Sequence, residues 1–229
     1  MNLKFLTVLL AAGVMTAACS DDDNTGPQGE ARVRVVHASP DAPDVDVLVD
    51  DAEVLGDVPY LTFSDYLDVP AGNRNLKVNA AGTDISVIDA DVDLADGTDY
   101  TVIASGLAAS IEPIVLEDDN STPGSGLARV RAIHGAPGAS GVDIYVTPPG
   151  ADLQNSVPAL TNVQFGDVAD YLEVPAGDYQ VRATLAGTKT VVIDPGTVTL
   201  SSGQVRTAIA VDSPGGGAPF GLLVLDDLN

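Results

Sequence analysis

Tryptophan is absent and cysteine occurs once in the 229 residues. Bases are scarce: ten Lys and Arg stand against 33 Asp and Glu, a net charge of −23. The lone Cys19 excludes an internal disulfide, so the fold must rest on apolar burial. The shortage of bases excludes nucleic acid as a natural partner, because phosphate neutralisation needs a surplus of Lys and Arg. It also disfavours docking on anionic lipid headgroups. Aromatics make up only 4% of the chain. That counts against a sugar-stacking platform, although Tyr60, Phe63, Tyr66, Phe165, Tyr171 and Tyr179 remain as candidates. No stretch beyond the N-terminus carries a helical apolar stripe, and no apolar run reaches the roughly 20 residues that span a bilayer.

The N-terminus reads as an export signal. "MNLKFLTVLLAAGVMTAA" has one lysine, an apolar run and small residues before Cys19. Residues 1–18 are therefore expected to be a signal peptide. A cysteine directly after Ala17-Ala18 resembles the lipobox of bacterial lipoproteins, in which the thiol is acylated; Thr16 departs from the Leu or Val usual three residues before it. The polar stretch 19–30, "CSDDDNTGPQGE", reads as a flexible tether. Ser20 after the cysteine resembles the pattern of outer-membrane sorting. The expected location is the cell envelope, lipid-anchored to the outer membrane.

The remaining chain repeats itself. "ARVRVVHASPDAPDVDV" from Ala31 answers to "ARVRAIHGAPGASGVDI" from Ala128, and "DYLDVPAGNRNLKV" from Asp65 to "DYLEVPAGDYQVRA" from Asp170. "SVIDADVDLADGTDYTVIASG" pairs with "VVIDPGTVTLSSGQVRTAIAVD", and "PIVLEDD" from Pro113 with "GLLVLDD" from Gly221. The second copy is longer around "TPPGADLQNSVPALTNVQ". Residues 31–118 form one copy and 127–229 the other, with 119–126, "DNSTPGSG", as linker. The period within each copy is two, as in Val45, Val47 and Val49. Seven runs are expected in the first copy: 31–37, 43–50, 62–69, 74–80, 84–93, 98–105 and 111–117. Short alternating strands separated by turn signals predict an all-β chain of two tandem immunoglobulin-like antiparallel β-sandwich domains. In "VPAG", Pro70 with Gly72 and Pro175 with Gly177 read as tight-return chemistry.

The order "RVRxxHxxP…VD", then "YLxVPAG", then "DGTDYTVIASG" resembles the bacterial domain of unknown function 4397 (DUF4397), over residues 31 to about 117 and 128 to about 226. The resemblance implies an exported, often tandem β-sandwich and brings no catalytic residues. The second copy departs from it at "SGQVRTAIAVD".

Two histidines, His37 and His134, occupy equivalent places. Parity sets each at the end of a core-facing stripe, with Val33 and Val35 or Val130 and Ala132, while Arg32, Arg34 and Val36 share the other face. Each is expected to brace the following loop. A zinc site would need three or four ligands, and each copy offers one histidine with Asp46 or Asp143 pointing elsewhere. A triad would need a nucleophile; Ser39 follows His37, but its counterpart is Ala136. The candidate cation site is calcium on Asp89, Asp91, Asp93 and Asp96, acids that the second copy keeps only as Asp194. The expected function is a non-catalytic envelope scaffold, adhesion or protein-contact module. Its partners would be the membrane, through the lipid, and another envelope protein or a polysaccharide. The alternative is a calcium- or carbohydrate-binding module. No other cofactor is expected.

Overall fold

The structure, a computed structural model, describes residues 29–227. The signal peptide, Cys19 and nearly all of the tether lie outside the described residues.

Alternation of β-branched and polar residues yields strands throughout. In the first copy these are β1 (Glu30–Ala38), β2 (Val45–Val49), β3 (Ala52–Val58), β4 (Leu67–Pro70), β5 (Gly72–Ala80), β6 (Ser86–Leu94), β7 (Asp99–Ser105) and β8 (Glu112–Asp118). They form two sheets, ordered β4-β1-β7-β8 and β3-β2-β5-β6. Val33, Val35, Val47, Val49, Leu76 and Val102 pack between them. The second copy has β9 (Leu127–His134), β10 (Val142–Thr147), β11 (Leu160–Val163), β12 (Leu172–Pro175), β13 (Gly177–Leu185), β14 (Val191–Ile193), β15 (Thr197–Leu200), β16 (Val205–Val211) and β17 (Gly221–Asp226). Its sheets run β12-β9-β16-β17 and β11-β10-β13-β14, with β15 also on β13. Pairing is antiparallel except for β1 with β7 and β9 with β16, which are parallel.

Three sequence expectations need correction. First, the seven runs become eight strands, because β3 carries little apolar signal and most of it is exposed. It is reached through Asp50 and Asp51, both at positive φ, where Asn-Gly is the usual sequence signal. The run 62–69 shrinks to β4 and a single bridge from Phe63 to Val36. Second, "VPAG" is not a hairpin return. β4 belongs to one sheet and β5 to the facing one, so Pro70 to Gly72 is the corner where the chain changes layer, with Gly72 at φ +105°. Pro175 to Gly177 does the same between β12 and β13. Third, "PIVLEDD" and "GLLVLDD" match one residue out of step. Asp99 pairs with Asp118, and Arg206 with Asp226, which makes Asp118 the counterpart of Asp227.

β6 is one strand, whereas its counterpart is broken into β14 and β15 by Asp194-Pro195-Gly196. Proline has no N–H for the ladder, and Gly196 turns at φ +82°.

The two sandwiches are not strung apart on the linker. Val36, Ala38 and Ile103 of one copy and Ile133, Ile209, Val211 and Leu225 of the other form one buried apolar cluster. These residues point away from their own sandwich interiors. The β1-bearing sheet therefore faces the β9-bearing sheet, and the molecule has four layers. The linker is fastened too: Arg129 donates to the carbonyls of Asp119 and Ser121, and Asn120 donates to Asp99 at 2.6 Å.

Candidate functional site

The histidines are buried, His37 at 0% exposure and His134 at 2%. His37 Nε2 lies 3.1 Å from the carbonyl of Pro43, which can only accept, so that nitrogen carries the proton. Its Nδ1 accepts from the Ser39 N–H at 3.4 Å. His134 repeats both contacts, with the Ser140 carbonyl and the Ala136 N–H. Each ring thus clips the loop that follows its strand. The Ser39 contact runs through backbone, which is why Ala136 serves as well. Burial pushes the His37 imidazole below its ordinary value, opposed by the Pro43 carbonyl. Protonation then favours the unfolded chain: the stability is full above about pH 6.5 and declines as pH falls below it. His37→Ala is expected to cost about 1–3 kcal/mol in urea unfolding at neutral pH, since the loop groups lose their partner. A loss within about 0.3 kcal/mol would sink the bracing role.

Asp46 and Asp143 stitch a second feature. The Asp46 carboxylate accepts from the N–H groups of Asp57 at 2.8 Å and Gly82 at 2.9 Å. Asp143 accepts from Asn162 and Gly187, both at 2.8 Å. Asp57 and Asn162 each sit at φ +52°, so the carboxylate holds a left-handed residue in place. The two bonds keep the Asp46 carboxyl below its ordinary range.

The acids proposed for calcium do not converge. Asp89 and Asp91 accept from Asn75 Nδ2, Asp93 from Asn73, and Asp96 turns to the backbone N–H of Glu30. Among the described residues, no group of three His, Cys, Asp or Glu is placed to hold a metal ion.

The most elaborate polar constellation lies between the copies. Arg34 donates to Asp227 at 2.6 Å and to the carbonyl of Asp226 at 3.2 Å. Reciprocally, Arg131 donates to Asp118 and to the carbonyl of Glu117. Arg34 and Arg131 also donate to Thr101 and Thr207 of their own copies, whose hydroxyls donate onward to Asp118 and Asp227. The Tyr66 and Tyr171 hydroxyls donate to Asp118 at 2.7 Å and Asp227 at 3.2 Å. Arg34 lies 4.8 Å from the Tyr66 ring centroid, and Arg131 4.4 Å from that of Tyr171. Burial drives both phenols well above their ordinary range. Both guanidiniums and both carboxylates are almost wholly out of water. Two positive and two negative charges cancel, and each carboxylate collects several donors, as buried ions require. The arrangement has the i-to-j, j-to-i form of a twofold interface, made here within one chain.

Sequence parity assigned Arg34 and Val36 to the face away from the core but did not reveal what covers them. One signal was available: Arg34 with Arg131, Tyr66 with Tyr171 and Thr101 with Thr207 are identical pairs that the sandwich interiors do not need.

Residues 6–145 and 147–229 match the family described as Domain of unknown function (DUF4397). The chain belongs to the DUF4397 family. The matched segments divide within β10, whereas the sheets divide between β8 and β9. No curated protein matches the chain. Among solved structures it is similar to family 41 carbohydrate-binding modules from streptococcal virulence factors that recognise α-glucan. The identity is 12% and the TM-score 0.28, with 84% of this chain and 96% of that chain covered. It is also similar to a family 26 carbohydrate-binding module from Eubacterium rectale, in complex with maltoheptaose. There the identity is 10% and the TM-score 0.26, with coverage of 86% and 96%. In this DUF4397 chain the aromatics conserved between copies are not a sugar platform: Tyr66 and Tyr171 lie under arginines in the interface. Tyr60 donates to the Asp212 carbonyl across the copies at 2.8 Å. Burial pushes the Tyr60 phenol up to about 12. Among the described residues, Phe63 and Phe165 are the exposed rings, one on each copy.

Proposed function

We propose that this is a non-catalytic, lipid-anchored protein of the bacterial cell envelope, whose two sandwiches act as one rigid surface module for adhesion or protein contact. The observation that carries the reading is the reciprocal Arg–Asp interface. A chain that only needed two independent binding domains would not require buried charges to lock them. Both histidines are engaged by loop backbone, and Asp46 and Asp143 by backbone N–H groups, so these four have structural work. The surface charge keeps the module off nucleic acid and anionic headgroups. Acylation at Cys19 would hold it to the outer membrane, with the stretch from residue 20 up to β1 as the stand-off. Its partner is another envelope protein or a polysaccharide.

The anchor is tested by feeding cells labelled palmitate. Label on the protein and its recovery with membranes are expected, both lost in Cys19→Ser. An unlabelled wild-type protein in the soluble fraction would contradict the anchored reading.

A further inference from the structure

The two sandwiches are filled differently. The interior of the first retains a void of about 20 Å³. At the same level the second encloses about 180 Å³ between its sheets. Side chains account for the difference. Strand registers equate Val35 with Ala132, Val102 with Ala208 and Tyr100 with Arg206, all facing inward. Two valines have thus become alanines and a plugging tyrosine an arginine. Val78 has become Ala183 at a neighbouring position.

The second sandwich is also open along one edge. β3 pairs with β2 as far as Val49, closing that margin. Its counterpart β11 stops pairing with β10 at Ile144, because the longer connection draws the chain away through a 3-10 turn at Leu153–Asn155. Val146, the counterpart of Val49, is left 39% exposed where Val49 is 9%, and Leu172 opposite is 56% exposed. These two residues mark a mouth leading in past Ile144, Val181 and Val224.

Arg206 lines the cavity, and its Nη2 pairs with Asp226 at 3.0 Å. The phenol of Tyr179, also on the wall, already donates to the Pro175 carbonyl. A nearly all-apolar slot cannot satisfy a sugar, whose hydroxyls would each need a partner. It suits a thin aliphatic chain, since stacked sheets stand about 10 Å apart. About 180 Å³ takes in a short tail of roughly six to eight carbons, because a dry cavity of about 150 Å³ takes up benzene, which has six.

We infer that the second sandwich binds an acyl chain, its tail between the sheets and its head at the mouth beside Val146 and Leu172. The head stays outside the apolar slot, so both a free fatty acid and an acyl ester fit. The first sandwich, closed by Val35, Val102 and Tyr100, has no such site.

The test is titration calorimetry on the Cys19→Ser full chain with octanoate and with glycerol mono-octanoate. One saturable site is expected for at least one of them. The stronger ligand identifies the source, free acid or ester, and either supports the proposal. Ala132→Val/Ala208→Val installs the first copy's own residues, and is expected to weaken binding at least tenfold while raising the melting temperature. Absence of binding by both probes, or binding indifferent to the valine pair, would overturn the proposal. So would maltoheptaose binding that the valine pair abolishes, which would assign the cavity to sugar.

Discussion

Asp118→Ala is expected to destabilise the protein by about 3–5 kcal/mol, the usual cost of removing one partner from a buried charge pair. Asp118 accepts from Arg131 of the other copy and from Thr101 and Tyr66 of its own. Truncation leaves the Arg131 guanidinium, 4% exposed, facing a void. It also strands two hydroxyls. The charge balance of the cluster shifts to two positives against one negative. Asp93→Ala, on the exposed face of β6, is the control and should stay within about 0.5 kcal/mol. Urea unfolding of the Cys19→Ser chain measures both. Replacing Asp118 and Arg131 together by leucine and methionine should recover much of the loss, since apolar groups of similar size leave no uncompensated ion. A loss below about 1 kcal/mol for Asp118→Ala would mean that water reaches the cluster.

Ile209→Ala is expected to cost about 2–5 kcal/mol, from lost burial and the cavity left behind. Ile209 is fully buried, yet it belongs to the cluster between the copies rather than to its own sandwich interior. The substitution therefore strikes the coupling of the copies more than the fold of either. In calorimetry the wild type should melt in one transition and the variant in two, as each sandwich unfolds separately. A cost under about 0.5 kcal/mol with a single unchanged transition would show that the facing sheets contribute little.

Much of the architecture was legible because a strand declares its faces by parity. Val45, Val47 and Val49, Val33 and Val35, and the repeated "RVR" located strands and copies, while "VPAG" marked a turn whose role as a corner between sheets only the fold shows. β3 was not legible, because an exposed edge strand needs no apolar stripe and Asp50-Asp51 is an uncommon way into it. Parity also stops at naming two faces. It placed Arg34 and Val36 opposite the core, but only the fold shows that a second sheet covers them. A one-residue slip in matching the C-terminal strands hid the equivalence of Asp118 and Asp227, and with it the reciprocity. The cavity was silent for a different reason. Ala132 and Ala208 are ordinary small core residues in isolation, and become informative only when strand register sets them against Val35 and Val102. The insertion before β11 was visible as extra length, but its effect on the edge of β10 follows from where pairing stops.

The central claim is that the reciprocal interface makes one body of two sandwiches. Spin labels at Ile85 of the first copy and Val157 of the second test it most directly. Both positions are well exposed, and Cys19→Ser removes the one native cysteine. The account predicts one narrow distance distribution that broadens in Asp118→Ala. A broad distribution in the otherwise wild-type chain, as from two domains swinging on residues 119–126, would contradict it.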